Sequence, residues 1–144
     1  MATHFLNVDL EVTSDRNLQV LADAFGEKAR YHLSSGEAPG ETLATFEIGL
    51  DELEMAACTP QKRNDGGEAD AKIRKFCSLI RELKGEAKEV WETASSKTFD
   101  LGYEGGLSPH YYLSNLSPET MGKIAEVGAS LKVTIYPIDM REAG

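Results

Sequence analysis

Three histidines, two cysteines and a few closely spaced carboxylates are the side chains in this sequence able to hold a metal, attack an electrophile or move a proton. His4, His32 and His110 fall in three separate strand-like stretches. None stands in a His-x-His or His-x3-His spacing that would bring two imidazoles onto one ion, so no metal site is expected. Cys58 and Cys77 are too few for a disulfide scaffold, and Cys77 lies in phase with the apolar stripe of a helix, where it packs as a small hydrophobe. Both are expected to stay reduced. Neither has an identifiable electropositive setting, and no Gly-x-Ser-x-Gly elbow presents a serine, so nucleophilic catalysis lacks a motif. The pairs Asp51 with Glu54 and Asp100 with Glu104 could do acid–base work only if burial separated their pKa values, and the sequence reads them as solvated acids. Gly102-Tyr103-Glu104-Gly105-Gly106 has the glycines of a phosphate loop but runs on to Pro109 and a strand, so it reads as a turn. No catalytic residue and no cofactor is expected, and the balance leans away from an enzyme.

Residue types suited to contact stand out more than those suited to catalysis. Tyr103, Tyr111 and Tyr112, beside His110, offer large amphipathic area, although strand alternation turns part of it inward. Asp51, Glu52 and Glu54 cluster beside a turn-rich segment and make a candidate surface for a cationic protein. The chain as a whole carries 24 acidic and 15 basic side chains, a formal charge of −9. Nucleic acid and anionic lipid are repelled by such a balance, and the densest basic stretch, Lys72, Arg74, Lys75 and Arg81, is interleaved with acids as on a solvated helix face. A basic protein is the expected partner. No apolar run reaches the roughly 18 residues of a membrane span, and Met1-Ala2-Thr3-His4 does not look like a signal peptide, so a cytoplasmic location is expected.

These residues must be positioned by one domain, since 144 residues with 41% hydrophobic content suffice for a single core. Leu6, Val8, Leu10 and Val12 alternate with Asn7, Asp9 and Glu11, the period of a half-buried strand. Ser14 and Asp15 then offer caps to a helix with its stripe at Leu18, Leu21, Ala22 and Phe25, ended by Gly26. Strands are predicted over Ala29–Leu33 and Thr42–Ile48, joined across the turn formers Ser34 to Gly40. Residues 50–69 read as a flexible segment with a short helix starting at Asp51. A main core helix follows, with Ile73, Phe76, Cys77, Ile80 and Leu83 on one stripe and a break at Gly85. After a polar bridge containing Val90 and Trp91, alternation at Phe99, Leu101 and Tyr103 predicts a strand, and His110–Leu113 its hairpin return. Ser117-Pro118-Glu119 starts a third helix, Gly128 ends it, and Leu131, Val133 and Ile135 make the last strand before a frayed tail from Asp139 to Gly144. The expected fold is α+β: a mostly antiparallel sheet of about six strands with about three helices packed on one face.

The closing stretch, Leu113-x3-Ser117-Pro118-Glu119 leading through Ile124-Ala125-Glu126-Val127-Gly128-Ala129-Ser130-Leu131 into Val133-Thr134-Ile135-Tyr136, resembles the bacterial family called domain of unknown function 4279. The resemblance extends in plan over most of the chain, though residues 50–67 are longer than a compact member needs. It implies no catalytic residues. Small acidic bacterial proteins of this build resemble immunity proteins, which implies a binding protein that blocks a toxin. The other readings are an enzyme or small-ligand sensor with a pocket at the loops Ser34–Gly40 and Leu50–Gly67, and a self-associating structural domain.

Overall fold

The computed structural model describes residues 4–57, 67–105 and 115–137. Alternating apolar residues form five strands, β1 (His4–Ser14), β2 (Ala29–Ser35), β3 (Thr42–Ile48), β4 (Ser96–Glu104) and β5 (Ser130–Tyr136), in one sheet of order β2-β3-β1-β4-β5. Between them lie the helices α1 (Gln19–Phe25), α2 (Glu52–Ala57), α3 (Gly67–Arg81), α4 (Gly85–Thr93) and α5 (Pro118–Glu126). The architecture is an α+β fold with a mixed, mostly antiparallel sheet. No described helix is long and apolar enough to cross a membrane.

Register explains which side chains become core. Leu10 stands opposite Phe46 on one side and Phe99 on the other, and Val12 stands opposite Ala44, so these residues share one face of the sheet. All five are essentially inaccessible. Phe25 of α1 meets Phe46 edge to face at 5.0 Å, and Phe76 of α3 meets Phe99 at 5.9 Å. Each large side chain so enclosed contributes roughly 1.5–3 kcal/mol of transfer free energy. Helical stripes from α1, α3, α4 and α5 join the same cluster through Leu21, Ile73, Val90 and Ile124.

Several expectations need correction. The sheet has five strands among the described residues, and β4 pairs parallel with β5 because α5 carries the chain back before the last strand begins. Both edges of β4 are occupied, by β1 and β5. The return strand expected over His110–Leu113 lies outside the described residues, as does the tail from Asp139. Among the described residues there are five α-helices where about three were expected, since the polar bridge around Val90 and Trp91 is α4. Ala87, Val90 and Trp91 sit at i, i+3 and i+4 on its buried face, and Trp91 Nε1 donates to the Val127 carbonyl at 3.0 Å. The expected flexible segment 50–69 is helical at both ends, in α2 and the first turn of α3, while residues 58–66 lie outside the described ones.

The helix ends follow local chemistry. Ser14 finishes β1 and accepts from the Arg16 amide, so it does not cap α1; Asn17 Oδ1 instead accepts from the Gln19 amide at 3.0 Å. Ser117 caps α5 as its spacing predicts, with Oγ accepting from the Thr120 amide at 3.1 Å and Pro118 in the first turn. At the other end Gly128 takes φ +76°. This lets its own amide reach Ala125 and the Ala129 amide reach Ile124, the paired bonds of a Schellman stop.

Candidate functional site

The alternation that buries Leu10 turns Asp9 and Glu11 to the opposite face, where no described helix packs. Register then lines up five charges straight across the sheet: Arg30 opposite Glu47, Glu47 opposite Asp9, Asp9 opposite Asp100, and Asp100 opposite Lys132. Three carboxylates thus occupy adjacent positions on β3, β1 and β4, with one cation at each edge strand. Like charges directly opposite each other in a ladder destabilise it, so the fold bears a cost here that its packing does not require.

The cations settle only the flanks. Arg30 reaches Glu47 at 3.2 Å, and Lys132 reaches Asp100 at 3.5 Å and Glu11, on the next row, at 3.0 Å. The hydrogen bond that Lys132 donates to Glu11, with the neighbouring acids, raises its pKa and keeps it charged. Thr134 Oγ1 donates to Asp100 at 2.8 Å. Asp9 is left in the centre with the amide of Asn7, which donates to Oδ1 at 3.2 Å. Burial first, then the charges of Glu47, Asp100 and Glu11, push its pKa from 3.8 up to about 6. Counting Glu11, carboxylates outnumber cations four to two on this patch. Among the described residues no group of three or more His, Cys, Asp or Glu is arranged to hold a metal ion.

Beside the row, the loop between β2 and β3 overhangs an open concavity of about 440 Å³, bordered by Glu11, Thr13, Glu37, Glu41, Thr98 and Lys132. A larger open cleft of about 1020 Å³ lies between α2, α3 and α5. Its charges are mutually satisfied: Lys75 binds Glu54 at 2.7 Å, Arg74 binds Asp70 at 3.0 Å, and Lys123 binds Glu119 at 3.4 Å. Residues Ser35 to Glu37 border the first hollow and Glu54, Ala57 and Gly67 the second, so the described parts of the two loops do not share one pocket.

The contact residues expected from sequence are scattered by the fold. Asp51 and Glu54 form a reciprocal capping box, each carboxylate accepting the other's amide at 2.8 Å. The Glu54 amide bond lowers the Asp51 pKa. Glu54 also anchors Lys75, so of the three acids only Glu52 has neither tie. Tyr103, at 6% exposure, is core. Tyr111 and Tyr112 lie outside the described residues. Of the noted carboxylate pair, Asp100 belongs to the row while Glu104 closes the end of β4. Asp9, Glu47 and Lys132 were missed. The polar phase of β1 was visible, but nothing local places Glu47 and Asp100 on either side of it. Compared with protein-family models, curated proteins and solved structures, the chain matches none.

Proposed function

We propose that this is a non-catalytic binding protein whose acidic sheet face takes a basic protein partner, in the manner of an immunity protein that neutralises a toxin. The observation that carries the reading is the row Glu47, Asp9, Asp100 on a partly exposed sheet face that no described helix covers, strained by its own charge and relieved when cations dock on it. Its likeness to domain of unknown function 4279 and a cytoplasmic setting belong to the same proposal. A face on which acids outnumber cations speeds encounter with a basic surface and selects against acidic ones. The expectation that α2 is the contact gives way to the sheet, because Asp51 and Glu54 are engaged within the fold. Immobilised protein exposed to extract of its host cells should retain a basic protein that elutes as salt rises. Retention of no protein, or only of salt-insensitive ones, would refute the reading.

The concavity under the β2–β3 loop supports a second reading, a sensor of small cationic ligands. Its rim carries Glu11, Glu37 and Glu41 against Lys132, a composition suited to an organic amine. A calorimetric titration with a diamine and a polyamine separates the two readings, since the protein-binding account predicts no saturable heat at physiological salt.

A further inference from the structure

Leu131, Val133 and Ile135 share the helix-bearing face with Phe99, Leu101 and Tyr103 by register, yet they remain 38%, 55% and 67% exposed. They lie on β5, an edge strand whose outer side has no partner among the described residues. The Gly105 amide donates to the Tyr136 carbonyl at 2.8 Å, which turns the backbone groups of Tyr136 toward the β4 side. In a parallel ladder the groups of alternate residues point the same way, so those of Leu131, Val133 and Ile135 point outward. The same three residues thus present unpaired backbone and uncovered apolar side chains.

Exposed edges are ordinarily guarded by charge, proline or a bulge. The β5 edge has no such guard within the strand. Its one charge, Lys132, is drawn onto the opposite face by Glu11 and Asp100. The other edge strand, β2, carries Arg30 with its side chain 86% exposed. We infer that β5 is the pairing edge for a second copy of this chain, joined antiparallel about a twofold axis at Val133 so that the two sheets continue as one.

The strand sequence is self-complementary about that axis. Val133 meets Val133 of the second copy, Leu131 meets Ile135, and each of these three residue pairs exchanges both outward backbone bonds, about six in all. The apolar triplets then form one ladder on the helix side. On the other face Lys132 stands opposite Thr134, so no like charges meet although each copy carries −9. An antiparallel pairing of this kind closes on itself and forms a dimer instead of a fibre.

Sedimentation over about a hundredfold concentration range should show a monomer–dimer equilibrium that Val133→Pro abolishes, because proline removes an outward N–H at the axis. A second variant fixes the register and does not depend on a proline being tolerated. In a Cys58→Ser background, Val133→Cys should form an intermolecular disulfide under mild oxidation, since paired Cα atoms lie about 5.5 Å apart there. Leu131→Cys alone should not, and should do so when mixed with Ile135→Cys. A monomer at every concentration overturns the inference, whether β5 amides then exchange fast or are protected by the rest of the chain. Equal cross-linking of all three single variants overturns it too.

Discussion

Asp9 sits at the centre of the row because β1 is the middle strand, and its neighbours make its charge costly. A carboxyl whose pKa is raised on folding binds its proton more readily in the folded chain than in the unfolded one. Its contribution to stability is therefore whole below the unfolded value of 3.8 and is lost as pH rises through about 6. A shift of that size corresponds to about 3 kcal/mol at about 1.4 kcal/mol for each pH unit, and solvent screening of a partly exposed group reduces this to about 1 kcal/mol. Asp9→Asn should accordingly be more stable than wild type by about 1 kcal/mol near neutral pH, with the difference closing near pH 4. Urea unfolding at both pH values checks this, and a variant less stable than wild type at neutral pH would contradict the assignment. Cys77 is the opposite case, a group with no work to do. Burial raises its thiol to about 11, so a thiol reagent should leave it unlabelled in the native protein and label it on unfolding, as mass spectrometry would show. Its buried place was legible from helical phase alone. The setting of Asp9 was not, because Glu47 and Asp100 lie 38 and 91 positions away in the chain.

Elements were legible where their signals are local. The strands at Thr42–Ile48 and around Leu10, the glycine stops at Gly26 and Gly128, and the start of α5 all follow from residues within a turn or two. Ser117→Ala should lower stability by about 1 kcal/mol in chemical denaturation, the usual loss for a serine cap. An unchanged midpoint would mean that Asp70, which accepts the Ser117 amide at 2.8 Å, holds the helix start by itself. Elements that owe their form to distant packing were misread. In α4 only Ala87, Val90 and Trp91 are buried among nine residues, a stripe too short to stand out from its glutamates and lysine. The parallel pairing of β4 with β5 likewise depends on where α5 crosses, and no residue in either strand encodes it. Element-level packing also changes the meaning of Glu54. Reversing its charge removes the carboxylate that accepts the Asp51 amide and binds Lys75, so Glu54→Lys should lower the melting temperature, where a purely solvated acid would leave it unmoved.

At the scale of the whole molecule the sheet separates two tasks. One face collects the aromatic and aliphatic residues that make the core, and the other collects carboxylates that no described helix covers. The charge of −9 was plain in the composition, but the meeting of three carboxylates in a row on the sheet was not, because strand order turns residues far apart in sequence into neighbours. On the proposed reading, attraction between this face and a basic partner would act mainly on the rate of encounter and would be screened over about 8–10 Å at ordinary salt. The triple variant Asp9→Asn, Glu47→Gln, Asp100→Asn keeps the shape of the row and removes its negative charges, and relief of the repulsion among them is expected to keep it folded. The decisive measurement is quantitative capture from host-cell extract by this variant beside wild type. The account predicts that a basic protein retained by wild type falls at least about tenfold with the variant, while Glu52→Gln on α2 leaves it unchanged. Equal capture by wild type and the triple variant would contradict it.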